Sequence, residues 1–293
     1  MWGMAAQCTT GDMALFGGID PCRAGWVVVV GMGGLGGMGD CRLSTGVSGR
    51  GRPVGDGRAP SAEAAGVRGG AGAVMEVRRI LVAKDFQEAL ERTAECRLVC
   101  VHIPVGLGDG PARGCDVMAR RLLGRPRAGS VFDPPIRGVL DVADYPTATR
   151  ENFAVSLRGL NMQTFRMMDK IRQVDAVMTA EWQGRLREAH PELAFHALND
   201  GRAVNPGKKS PAGRALRRLL LRRVFADFSG PMPRLSLRTA EQDDVHDAMA
   251  VCWTAYQCLV GRCSVIPPEP QLDARGLRME LLIPSLDDAA AGR

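Results

Sequence analysis

Apolar and polar positions along this chain switch between strand-like and helix-like spacing, and the switches mark its elements. ALFGGID (14–20) stays apolar up to Asp20, PCRAG (21–25) is a tight turn, and WVVVV (26–30) returns as a second apolar run. Apolar residues on both sides of each arm place this predicted hairpin at the centre of a sheet. AVMEVRRILVA (73–83) predicts a third strand and CRLVCVHIPVGL (96–107) a fourth. Between them KDFQEALERTA (84–94) sets Phe86, Ala89, Leu90 and Ala94 at helical spacing. A hairpin, a strand, a helix and a strand open an α/β sheet.

Helical spacing then dominates. CDVMARRLLG (115–124) and DVADYPTATRENFAVSLRG (141–159) predict two helices, the second stopped by glycine. NMQTFRMMDKIRQVDAVMTAEWQGRLRE (161–188) predicts a long one, with Phe165, Met168, Ile171, Val174, Val177 and Met178 on one side. AHPELAFHALND (189–200) predicts a strand edge turning into a helix, and ALRRLLLRRVFADF (215–228) an arginine-laced amphipathic helix. In EQDDVHDAMAVCWTAYQCL (241–259), Val245, Ala248, Met249, Cys252, Ala255, Tyr256 and Leu259 form one apolar stripe. A proline-rich loop and a last apolar run, LRMELLIP (277–284), close the pattern.

Composition adds boundaries. Residues 31–73 are dominated by glycine with serine, arginine and proline, so they have little to bury and predict a disordered insertion. Residues 1–14 predict a disordered leader with no secretory character, and 285–293 a tail, leaving 15–284 as one domain. Nine cysteines without a CxxC pair predict reduced thiols, a cytoplasmic location and no structural zinc site. No segment is long and apolar enough to span a membrane. The net charge of +6 permits a polyanionic partner without requiring one.

The chemistry gathers where the apolar stripe meets charge. Asp244 and Asp247 share one flank of the 241–259 helix, while Asp243 is expected to point to solvent and His246 to lie on the surface. Acidic residues at a helix start also suit its dipole. Carboxylates that converge repel unless a cation or proton lies between them. Asp20, at the end of the first strand, is the third candidate, and Mg²⁺ suits such an oxygen set. REAHPELAFH supplies a second polar cluster, with Glu188, His190 and Glu192 either catalytic or hydrogen-bonded in a polar turn.

Several pieces in this order resemble the DUF429 family: GGIDPCRAGWVVV, VHIPVGL, RGCDVMARRLLG, SVFDPPIR, EAHPELAFHALNDG, KKSPAGRALRRLLL and DDVHDAMAVCWTA. The resemblance implies a ribonuclease-H-like fold, a mixed five-stranded sheet with helices on both sides. It also implies a metal-dependent nuclease in which Asp20, Asp244 and Asp247 gather Mg²⁺ or Mn²⁺ for phosphodiester hydrolysis, with Glu188 and Glu192 as further acidic candidates. The chain departs from the family pattern at His102, where an aspartate is usual; imidazole favours Mn²⁺ or Zn²⁺ over Mg²⁺.

Two basic clusters, one around SVFDPP (Arg113, Arg120, Arg121, Arg125, Arg127, Arg137) and one with Lys208, Lys209, Arg214, Arg217 and Arg218, are candidate contacts to a DNA or RNA backbone. Two other functions stand beside the nuclease. One is a catalytically impaired module that binds nucleic acid or protein. The other is a nucleotide-dependent phosphotransferase, which needs a second Gly-x-Asp hairpin that the chain lacks.

Overall fold

The computed structural model describes residues 13–35, 75–110, 112–226 and 240–286. Most of the expected leader, insertion and tail lies outside them, but Met13 and Ala14 of the expected leader open the first strand, and 31–34 of the expected insertion belong to the second strand rather than to a disordered segment. The predicted hairpin forms as β1 (Met13–Cys22) and β2 (Gly25–Gly34), with Asp20 opposite Val27 and Met13 opposite Gly34. β3 (Met75–Ala83) pairs antiparallel with β2, while β4 (Leu98–Val101) and β5 (Leu186–Glu188) continue parallel from β1. The sheet runs β5-β4-β1-β2-β3-β6 and is mixed. Its sixth strand, β6 (Phe225–Ala226), joins only Met75 and Glu76 and was not foreseen.

Period-two alternation divides the sheet into two faces. Ile19, Trp26, Val28, Val30, Val99 and Val101 turn one way, toward α1 (Phe86–Arg92) and α4 (Met162–Val177). Phe16, Val27, Val29, Leu98 and Cys100 turn the other way. There they meet α5 (Pro191–Leu198), α6 (Pro211–Leu221) and α7 (Gln242–Leu259). The remaining helices are α2 (Gly114–Arg127), kinked at Gly124, and α3 (Tyr145–Ser156). A separate antiparallel pair, β7 (Cys263–Leu272) and β8 (Arg278–Pro284), packs on α2 and α5.

Local chemistry explains where the elements start. Asp85, Asp144, Asn161 and Ser210 each accept a hydrogen bond from a backbone N–H three residues on, capping α1, α3, α4 and α6. Glu241 and Asp244 form a reciprocal capping box at the start of α7. Ser210 and Pro211 begin α6 earlier than its apolar spacing indicated.

Several expectations are corrected. The helix predicted over 161–188 ends at Val177, where its apolar spacing runs out, and the chain then supplies β5. The proline-rich loop is β7, whose ladder shifts register between Ile266 and Gln271, so the intervening prolines forfeit no ladder hydrogen bond. Cys258 and Cys263 form a disulfide rather than two thiols. The other described cysteines are buried thiols, and burial pushes Cys100 up to about 12. No helix among the described residues is long and apolar enough to cross a membrane.

α7 lies against β1, β2 and β4 on one side and α5, α6 and β8 on others, so it is enclosed nearly all round. This buries Asp243 and His246, both expected at the surface. Its closest approach to the sheet is at Gly18, where a Cβ would stand 2.1 Å from the Ala248 carbonyl oxygen and 2.7 Å from Cys252 Cβ. Neither obstacle is a movable side-chain end. Gly18→Ala should therefore cost about 3 kcal/mol or prevent folding, whereas Gly138→Ala, with nothing within 4 Å, should be near neutral. Urea denaturation of the two variants compares them directly.

Candidate metal centre

The three parallel strands are in register at one edge of the sheet. Ile19 lies beside Val101, and Val101 beside Glu188. The His102 N–H donates to the Ile19 carbonyl at 2.9 Å and the Ala189 N–H to the Val101 carbonyl at 3.1 Å. The residues just past these pairs are thus forced side by side. Asp20 shares the sheet face of Phe16 and Gly18, and His102 that of Leu98 and Cys100, so both turn toward α7. Because α7 touches the sheet at Gly18, Asp247 arrives directly over them.

One ligand atom each from Asp20, His102 and Asp247 lies within 4.8 Å of the others. Asp20 and Asp247 are 3% and 1% exposed, while His102 is open enough to form the mouth. His102 Nδ1 and Asp20 Oδ1 share a hydrogen bond of 2.6 Å. Burial pushes the imidazole down to about 4, so it is neutral near pH 7 with a lone pair available. Burial, then repulsion by Asp247, raises the Asp20 carboxyl well above its ordinary range, although Lys208 opposes this. Burial also pushes the Asp247 carboxyl up, but the Lys208 ammonium, 2.5 Å away, together with His102 and Arg217, brings it below its ordinary range. One acid of the pair is held ionised and the other is held near its proton.

Asp244 lies at the edge of the cluster. One of its oxygens accepts from the Glu241 N–H at 2.9 Å, and burial followed by nearby Asp247 raises its carboxyl. Its first task is the α7 cap. Glu192 is held from the other side: Arg217 holds one oxygen, and the other is buried without a hydrogen-bond partner among the described residues. The negative charge of Glu192 also acts on His102 and Lys208.

Glu188 does not join the centre. It shares the face of Leu186, which packs in the opposite core, so period two turns it away. There Arg113 grips both of its oxygens at 2.8 Å and also both oxygens of Asp116, at 2.7 and 2.8 Å. The Val105 N–H donates to Glu188 at 2.7 Å. His190 also has a structural task. It caps α5, its Nδ1 accepting from the Glu192 N–H at 3.2 Å, which leaves Nε2–H to face the Ser130 carbonyl at 3.3 Å. Its ring meets His102 edge-on at 4.8 Å, and burial pushes it down to about 3.

The basic clusters are mostly internal. Arg120 pairs with Asp133, Arg137 with Asp175 and Asp273, and the buried Arg217 with Glu192. Lys208 and Lys209 face α7 carboxylates: Lys208 on Asp247, Lys209 on Glu241 and Asp243. Arg214 donates to the Lys209 carbonyl at 2.7 Å. A groove of about 240 Å³ beside this turn is lined by Arg214, Arg218, Gln242 and His246. Sequence reading foresaw charge at these positions but not its partners, because carboxylates from other elements do not show in a local cluster.

Removing one partner of a buried ion pair strands the other, at about 3–5 kcal/mol. Glu188→Gln should therefore lower the urea midpoint markedly and leave divalent-metal affinity unchanged, a comparison of denaturation and calorimetry on one preparation.

The model of a family described as a protein of unknown function, DUF429, matches residues 18–272. No curated protein and no solved structure matches the chain. With the match running from the strand that carries Asp20 to the end of β7, the chain belongs to the DUF429 family.

Proposed function

We propose that this chain is a divalent-metal-dependent nuclease with a ribonuclease-H-like fold. The observation that carries the reading is the convergence of Asp20, His102 and Asp247, from two adjacent parallel strands and the helix packed over them. A β1–β2–β3 antiparallel meander followed by β4 and β5 parallel to β1 supports the fold assignment.

The residues fit a metal ion. Two carboxylates and a neutral imidazole form a mixed oxygen–nitrogen donor set, better suited to Mn²⁺ than to Mg²⁺. Around them Asp20, Asp244, Asp247 and Glu192 face the cations Lys208 and Arg217, leaving negative charge in excess. Burial, then repulsion by Asp247, raises the Asp20 carboxyl, and a cation bound beside it would oppose both effects. A bound ion would polarise the phosphate and make a water more acidic.

The chain's own groups divide the remaining work. Asp20, His102 and Asp247 would hold the ion, and His190, by packing edge-on, keeps the His102 ring oriented. The unbonded oxygen of Glu192 is placed to accept a hydrogen bond from water near the cluster. Lys208, more than a third exposed, presents its charge at the mouth where a phosphodiester of DNA or RNA would enter.

A binding module without catalysis is the second reading. The Lys208–Asp247 ion pair favours it, because that contact already neutralises part of the site.

Calorimetry with Mn²⁺ should show binding by the wild type that is lost or weakened at least about tenfold in Asp20→Asn. Mn²⁺-dependent cleavage of labelled single-stranded, duplex or branched DNA or RNA should disappear with it. Equal weak binding by both proteins and no cleavage would reject the nuclease. Affinity should rise with pH: the ion must displace the proton that burial and Asp247 hold on Asp20, so acid opposes binding.

A further inference from the structure

Lys208 is placed with unusual care for a surface lysine. The turn that carries it is fixed on both sides. Ser210 Oγ donates to the Gly207 carbonyl at 2.8 Å, and Arg217 reaches the Pro206 carbonyl at 3.3 Å. Gly213 must lack a side chain, because a Cβ there would meet the Gly207 oxygen at 2.0 Å. Next to it, Lys209 ties the same turn to Glu241 and Asp243 on α7. The ammonium of Lys208 is thereby delivered to Asp247, with Asp20 and Glu192 near enough to act on its charge.

We propose that Lys208 is the second cation of this centre. It occupies the outer side of Asp247, so the site takes one divalent ion, held by Asp20, His102 and the remaining capacity of Asp247. The inference rests on the metal-centre reading above and deepens it. Charge supports it: a carboxylate cluster that meets two divalent ions needs its acids free, whereas here Asp247 is already paired with Lys208 and the third member of the set, His102, is not a carboxylate. Exposure supports it too, since Lys208 stands with His102 at the open end of a set whose carboxylates, Asp20 and Asp247, are buried. A lysine in this position supplies a positive contact for one oxygen of a bound phosphodiester.

The test counts ions. Full-length protein is titrated with Mn²⁺, using calorimetry for stoichiometry and affinity and electron paramagnetic resonance for free ion. The wild type should bind one Mn²⁺ per chain. Lys208→Met should either bind a second ion or bind the first about tenfold more tightly, because a competing positive charge has left. Lys208→Arg should restore the wild-type count. Lys209→Met, which loosens the turn's attachment without touching Asp247, should leave the count at one. Two ions in the wild type, or an unchanged count and affinity in Lys208→Met, would overturn the proposal while leaving the metal centre standing. No Mn²⁺ binding by the wild type would remove the metal centre itself and this proposal with it. A Lys208→Met protein that does not fold is replaced by Lys208→Gln, read on the same scale.

Discussion

Backbone meets backbone where α7 crosses β1, and the site depends on that approach. Gly18 has no side chain, so Ala248 and Cys252 settle against the strand itself. Everything else about the centre follows by short steps along the chain. Asp20 is two residues beyond Gly18 and on the same face; Asp247 is next to Ala248. Parallel pairing then adds His102 with no freedom of placement, since its neighbour Val101 is locked beside Ile19. The position of three functional groups is therefore a by-product of close packing, and the packing energy of two core layers holds them.

Such packing has an electrostatic consequence. A helix enclosed on nearly every side carries its acidic residues into the interior with it, where an isolated charge is expensive. The molecule answers with cations from neighbouring elements. Lys208, Lys209 and Arg217 come from a single turn and helix and meet Asp247, Asp243 and Glu192. On the far side of the sheet Arg113 spans Glu188 and Asp116. Several of the chain's arginines thus serve as internal cross-bracing.

How much was legible in the sequence depended on range. The central hairpin, α7 and the pairing of Asp20 with Asp247 could be read, because apolar spacing and strand ends are local signals. His102 was also readable, since a residue ending a parallel strand next to β1 must face the same edge. Glu188 misled because its motif suggested chemistry while its parity with Leu186 pointed the other way, and parity needs a strand only three residues long to be recognised. Asp243 and His246 misled because a helical wheel assumes one buried face, and α7 has several. β7 was missed because prolines mask a strand whose ladder happens to skip them. The Cys258–Cys263 bond was missed because their spacing matches no familiar pair.

The register of the central hairpin also bears on where this chain can accept an insertion. Asp20 faces Val27 at one end of β1, whereas the far end of β2, at Gly34, pairs with Met13. β2 leads out toward Leu35 and the chain returns at Met75, at the Met13 end of β1, which is seven strand positions from Asp20, about 23 Å at the rise of a strand. That end of the sheet is thus well separated from Asp20 and from the His102 and Asp247 side chains gathered around it. A tag or reporter domain inserted between these two points would therefore enter far from Asp20, His102 and Asp247.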